Sequence, residues 1–553
     1  MKKIIFILFC ALQMTGQICS AKDILTKDVL TIATMQEWDI LHPISYQTAA
    51  SESIMHMLQR QMVYRDMTGK VLPEVAIEVP SFKNKLAKFI TEKGQRKIAA
   101  IWEIRPEAQW SDGVPITCKD WKFSWTVGIN DNVSKSEKNI YSKIESITYS
   151  DAHPQKCKVQ YSNDEWTFDR DLPPFLPEHI EGSIYNKWGN EKAQSYEQNS
   201  MYVKAPAAAG LYSGPYVVSE IKLGSFISLK VNPKFWGKPP TIKKIIIKFI
   251  SDSNTLRPYL QTEQIDMILP VGFPPDLAIL FSKELKEKQT VHFINSSLYQ
   301  GLFLNLENEI LKDELVRKAI ATVINKKKMT DAFFEGLLKP ADTIISEADL
   351  AFLRKKPAFD IALAEKYLDQ AGWKLSADKK SREKKGQKLI LEFKTSAGIR
   401  VLETVQTYLC AEFQKIQIEC QIKNQPPREF LGESVPHGKF QLAMFGQATY
   451  PDTSLKGLFH SGEIPSAKNA WAGGNIQRLS SEKMDQLISD YDHEFDFNKR
   501  IMILKNMDQM IIEHNWVVPL YHRREAVVLP KIFSGFTDDF KGTTLVYPER
   551  WRM

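Results

Sequence analysis

Runs of β-branched residues alternate with capped amphipathic helices along the whole chain, and this alternation limits the fold more than any other feature. "DVLTIATM" (28–35), "TIKKIIIKFI" (241–250) and "KLILEFKT" (388–395) have the composition and bounding turn residues of strands. "DIALAEKYLDQAGW" opens on Asp360 as a helix cap and sets Ile361, Ala364, Leu368 and Ala371 on one face. It closes on Gly372, suited to the left-handed position past a helix end. "LVRKAIATVI" (315–324) repeats apolar residues at helical spacing. "WSDGVPITCKDW" (110–121) predicts a turn at Asp112-Gly113, then a helix capped by Thr117 with Asp120 in a capping box. "IMILKNMDQMIIEHNWVVPLY" (501–521) predicts a helix running into a short strand, with Pro519 at the junction. No fixed-period repeat interrupts the pattern, which excludes solenoids and propellers and leaves a mixed α/β protein.

The N-terminus indicates the compartment. Lys2 and Lys3 precede the apolar run "IIFILFCAL", and "CSA" ends at Ala21. A basic start, a short apolar core and small residues before a cut describe a secretory leader, expected to be cleaved after Ala21. The apolar run is shorter than the roughly 20 residues a membrane-spanning helix needs. "GQIC" lacks the small residues of a lipid-attachment site before Cys19, so residues 1–21 predict a soluble periplasmic product without a lipid anchor. Four cysteines remain after cleavage: Cys118, Cys157, Cys410 and Cys420. Export permits disulfides, and these four allow three full pairings. Cys410 and Cys420 are the closer pair in sequence, and bridged or free buried thiols are both open. A chain of 553 residues suggests three or four domains. The net charge of +7, two of it from the leader lysines, is too mild to imply nucleic acid. The basic stretch "KLSADKKSREKKGQK" (374–388) is expected to be a solvated hairpin loop.

No catalytic constellation is visible. The ten histidines are scattered, "HEFDF" at His493 lacks a second histidine one turn on, and no C-x-x-C pair is present. G-x-S-x-G and phosphate-loop motifs are missing as well. Ser213 in "GLYSGPY" belongs to a turn, and carboxylate neighbours such as Asp538-Asp539 or Glu165 and Asp169 are common in a long chain. An exported chain of this kind leans towards binding rather than catalysis, with no cofactor and no metal site.

Several segments in order resemble one family. They are "LTIATMQEWDILHP" (30–43), "GKVLPEVA" (69–76), "WEIRPEAQWSDGVPITCKDWKFSW" (102–125), "SGPYVVSEIKLGSFISLKVNPKFW" (213–236), "QIDMI" (264–268), "VRKAIATVINKKKM" (316–329), "AEKYLDQAGW" (364–373) and "IIEHNWVVPLYHR" (511–523). Together they resemble the solute-binding proteins of ABC importers in the peptide/nickel-binding group, family 5. The resemblance implies a two-lobed α/β fold of the periplasmic binding protein kind (type II, cluster C-like). Its lobes are joined by a two-strand hinge, and its first lobe carries an extra domain. Lobe I would comprise 22–60, 206–295 and 517–553, the extra domain 61–205, and lobe II 296–516.

The same resemblance implies a monomer that captures a peptide or other small molecule between its lobes and passes it to the membrane subunits of an ABC permease. Many peptide binders of the group carry W-x-A-D-Y-x-x-P at a cleft strand, where the aspartate holds the ligand's α-ammonium. "FGQATYPDT" is similar, with Phe445, Gly446, Gln447, Ala448, Thr449, Tyr450 and Asp452 as ligand-site candidates. Thr449 stands at the aspartate position and Gly446 at the tryptophan position, with Asp452 a substitute carboxylate three residues on. Family position adds Glu37, Trp38, Tyr141 and Tyr299 as candidates. An oligopeptide is the expected ligand. The alternatives are a non-peptide solute (a glycan, an opine-like compound or a metal chelate), an exported hydrolase and a signalling receptor.

Overall fold

The computed structural model describes residues 28–553 apart from 67–68, 137–138, 286–287, 347–358, 470, 472, 537–539, 542–543 and 546. The leader at 1–21 and Asp538-Asp539 lie outside the described residues.

Ten strands form one mixed sheet. In chain order they are β1 (Val29–Thr34), β2 (Tyr216–Lys222), β3 (Phe226–Val231), β4 (Lys244–Phe249), β5 (Met267–Ile268), β6 (Gln289–Leu304), β7 (Ile390–Lys394), β8 (Glu419–Ile422), β9 (Leu442–Ala448) and β10 (Val517–Pro530). Their order across the sheet is β8-β7-β9-β6-β10-β5-β1-β4-β3-β2. Alternation along each strand feeds a core on each face. In β1, Leu30 and Ile32 enter one core and Ala33 the other. In β9, Leu442 and Met444 face one core and Ala443 the opposite one. Four apolar cores result, two on each half of the sheet, and the molecule is a two-lobed α/β protein.

Only β6 and β10 run through both halves. They pair antiparallel from Gln289↔Pro530 to Asn295↔Arg524, lose register, and resume at Tyr299↔His522. The N-terminal half of β6 places Ile294 in a first-lobe core, and its C-terminal half places Leu302 and Phe303 in the second lobe's cores. The expected short strand after the final helix is therefore long, because β10 serves both lobes. Pro519 sits inside it, where the pairing shifts again between Gln300 and Gly301, and so costs the ladder no regular hydrogen bond.

A separate four-stranded antiparallel sheet (Ala87–Glu92, Gln95–Glu103, His153–Tyr161, Ile144–Ser150) has its own core around Trp102, Trp110 and Trp121. The turn-and-cap motif builds that core. Gly113 takes φ +96°, and Thr117 and Asp120 form the capping box of helix Cys118–Ile129. The helix buries Trp121, whose Nε1 donates to Pro173 O at 3.0 Å. Cys118 on this helix is bonded to Cys157 on the sheet, and Cys410 is bonded to Cys420. Residues 374–388 form a largely exposed three-stranded ribbon, one strand more than the expected solvated hairpin. Its Arg382 is buried, bonding Asp369, Trp373 O and Ile416 O.

Candidate functional site

β9 lies beside the crossing strand β6 and pairs with it along its whole length, from Leu304↔Leu442 to Leu298↔Ala448. On its other edge β7 pairs only with Leu442 and Ala443 and then diverges. Past that point the Thr395 hydroxyl donates to Met444 O at 2.8 Å. Thr449 N donates to Ser297 O, which fixes the pleat: residues 445, 447 and 449 bond towards β6. Gly446 and Ala448 therefore turn their N–H and C=O groups to the vacant edge, where they have no hydrogen-bond partner among the described residues. A strand with half its backbone unpaired at a lobe crossing can accept an extended ligand as an added strand. The side-chain position of Gly446 stands on the sheet face, over β6. A Cβ there would lie 3.2 Å from Arg523 Nη1 of β10 and 3.7 Å from Gln300 Oε1 of β6.

The side chains that follow are committed to the protein itself. Thr449 is buried, and its hydroxyl donates to Ile344 O at 2.5 Å. Asp452 is also buried and meets Arg170 Nη1 at 2.9 Å and Arg500 Nη2 at 3.3 Å. Arg170 belongs to the four-stranded-sheet domain and Arg500 to the second lobe, so this carboxylate ties the two together. Trp166 lies between the same two guanidiniums, 4.4 Å from Arg170 and 3.7 Å from Arg500, and is buried in the second lobe's core. Phe495 crosses the other way to pack on Phe82 and Phe89. Arg65 Nη1 donates to Thr453 Oγ1 at 3.2 Å, and a Cβ on Gly69 would lie 3.1 Å from that of Asp452. Asp492 sits nearby. Burial pushes its carboxyl up to about 6, against a hydrogen bond from Ser454 that lowers it.

The remaining candidates scatter. Tyr141 lines a pocket of about 90 Å³ with Tyr46, His56, Arg60, Arg65 and Glu74, and its ring packs on Gly128. In that cavity burial raises the Glu74 carboxyl, and Arg60 at 3.2 Å draws it back. Tyr299 is fully buried under β9 and donates to Gln447 Oε1 at 2.7 Å, while Phe445 stacks on Phe303. Trp38 is core packing, not an aromatic wall. Glu37 is exposed beside the turn at Gly224, and Tyr450 is exposed at the end of β9. Sequence reasoning missed Arg170, Arg500, Trp166 and Arg523. Only Arg523 had a local signal, a run of three charged residues (523–525) inside the otherwise apolar β10.

The profile of the bacterial extracellular solute-binding proteins, family 5, matches residues 96–466. The oligopeptide-binding protein AppA of Bacillus subtilis is 24% identical over 446 residues, covering 78% of this chain and 77% of its own. Two solved structures cover 95% of the chain at 22% identity. An oligopeptide-binding protein of Thermus thermophilus complexed with a pentapeptide superposes with a TM-score of 0.75 over 95% of its own chain. NikZ of Campylobacter jejuni, in complex with Ni(L-His), superposes with a TM-score of 0.76 over 100% of its own.

Proposed function

The chain belongs to the bacterial extracellular solute-binding proteins of family 5, and from that premise we propose that it is the receptor of an ABC importer, which closes on an oligopeptide or related small solute and presents it to the permease. The family is one of binding proteins, so the chain is a binder and not an enzyme. Among the described residues no helix is long and apolar enough to cross a membrane. We propose further that it is a periplasmic protein released by cleavage after Ala21 and working as a monomer.

The vacant edge of β9 carries this reading. It offers the Gly446 and Ala448 backbone at the point where β6 and β10 pass between the lobes. Main-chain pairing gives affinity with little regard for side chains, as a receptor for varied peptides requires. The lobes proposed are 22–60 with 206–295 and the C-terminal segment, against 296–516. The break in the β6–β10 register opposite His522–Arg524 supports putting the return crossing there.

One observation favours a narrower ligand. Thr449 carries no charge, and Asp452 is occupied by two arginines, so no carboxylate of this segment is left for an α-ammonium. A solute without a free amino terminus, whether a blocked peptide or a non-peptide compound, suits the site better. Native mass spectrometry of protein released gently from the periplasm tests both points. A single small adduct lost on denaturation is expected. A mixture of peptides with free amino termini would overturn the narrower reading, and sustained turnover of the adduct would overturn the receptor itself.

A further inference from the structure

The interface between the four-stranded-sheet domain and the second lobe carries acids on both sides. Asp164 and Glu165 stand just before the short turn Trp166–Asp169, whose Trp166 is sunk in the second lobe's core. Facing them, Asp492 and His493 end the helix Glu482–His493, and Lys456 begins the short helix Lys456–Phe459. His493 Nε2 lies 3.5 Å from Asp164 Oδ1, and Lys456 Nζ 3.8 Å from Glu165 Oε1, both across the interface. Asp164 is also held by Arg96 at 2.6 Å within its own domain.

Asp492 belongs to the same cluster. It is buried, and its Oδ1 has no hydrogen-bond partner among the described residues. Burial is the chief reason that its carboxyl stands at about 6. Glu165 across the interface pushes the same way, and Ser454, Lys456 and His493 pull it back. The other charges around it are answered elsewhere. On the following helix Arg500 shares Asp452 with Arg170, which also holds Asp169 at 2.7 Å. Lys499 lies 4.0 Å from Glu494, and Lys143 bonds Thr167 O and Arg170 O at the far end of the turn.

We propose that Asp492 and His493, facing Glu165 and Asp164, form a proton-operated latch that closes the receptor more firmly in acid. The latch rests on the lobe closure proposed above, and through it solute is held more tightly in a mildly acidic medium than in a neutral one. A carboxyl that is buried against another carboxylate when closed, and solvated when open, binds its proton more tightly in the closed form. The closed form therefore carries a penalty above about pH 6, which fades as pH falls towards the ordinary carboxylate range. His493 acts in the same direction, because protonation turns its contact with Asp164 into an ion pair across the interface.

Single-molecule energy transfer between dyes on Ile129→Cys in the four-stranded-sheet domain and Met502→Cys in the second lobe tests it without ligand. Both positions are exposed, and the four cysteines outside the leader are bridged, so the dyes go only to the new thiols. Wild type is compared with Asp452→Ala, whose loosened interface keeps both states populated. The closed-to-open ratio is expected to be at least about tenfold higher at pH 5.0 than at pH 7.5. A carboxyl at about 6 when closed and in the ordinary range when open gives that factor. Asp492→Asn holds the acid ratio at pH 7.5 and leaves only the His493 part of the pH dependence, and adding His493→Gln abolishes it. Glu165→Gln raises the ratio at pH 7.5. Exchange between two distances at a ratio indifferent to pH in both backgrounds overturns the latch and leaves the receptor standing. So does a pH dependence that survives the double variant. One fixed distance at every pH in both backgrounds overturns the closing receptor, and the latch with it.

Discussion

At Thr449, the residue that the resemblance singles out, hydroxyl and amide both serve the protein: Oγ1 bonds Ile344 O, and the backbone N–H bonds Ser297 O. An aspartate here would not restore a free ammonium site. It would bury a carboxylate against a carbonyl oxygen. Thr449→Val is expected to cost about 1–2 kcal/mol through the unanswered Ile344 carbonyl. Thr449→Asp is expected to cost about 3–5 kcal/mol, the penalty of an uncompensated buried charge. Urea titration measures both, and an unchanged midpoint for Thr449→Asp together with tighter binding of free-amino peptides would return the position to the ligand. Asp492 obeys the same logic with opposite sign. Its carboxyl is raised to about 6 by burial, so the native state carries an unfavourable charge above that pH and is relieved as pH falls towards the ordinary carboxylate range. Asp492→Asn should therefore stabilise at pH 7.5 by about 1–3 kcal/mol, with the gain gone near pH 4, in paired thermal melts.

Among the elements, the turn, cap and helix of 110–129 show what local sequence can specify. The turn at Asp112-Gly113 and the capping box of Thr117 and Asp120 are made within a few residues and so were legible without the fold, whereas the bonds of Asp112 to His179 and of Asp120 from Glu178 N were not. The bond from Cys118 to Cys157 was not, because its partner sits across 39 residues and only the sheet brings the two together. Replacing both with serine should cost about 3–4 kcal/mol, measured as the fall in unfolding free energy, since the closed loop is long. The Cys410–Cys420 pair closes a span of only 10 and should contribute less. The same distinction explains the candidate site. "FGQATYPDTS" was recognisable as a strand end, and the structure places it at the lobe crossing. Yet the partners of Thr449 and Asp452 lie 105 and 282 residues away in sequence. Trp38 and Tyr299, adjacent to useful segments in sequence, point into cores because strand and loop geometry turns them inward. A one-dimensional pattern gives the face of an element but not which remote group meets it.

At the scale of the whole molecule, the open question is what holds the lobes together. A binding protein's ligand shifts the closed fraction only by what it contacts in the closed form. Here the protein supplies closing contacts of its own. Asp452 meets Arg170 across the interface, Trp166 is sunk in the opposite core, and Phe495 is packed on Phe82 and Phe89. The exposed Lys283–Glu335 pair on another face adds little, as surface ion pairs do. This apolar and buried set is expected to favour closure before ligand arrives, and apparent affinity then scales with the closed fraction. Asp452→Ala leaves Arg170 and Arg500 buried without their shared carboxylate, which weakens the closed interface by about 3–5 kcal/mol. Ligand-free scattering should show a larger radius of gyration than wild type. Titration with whatever solute co-purifies should show a dissociation constant raised about tenfold if the closed fraction falls to a tenth. The two changes must appear together, because both report one equilibrium. A widened molecule with unchanged affinity would mean that the ligand alone drives closure and that the Asp452 cluster only fixes where the extra domain rests.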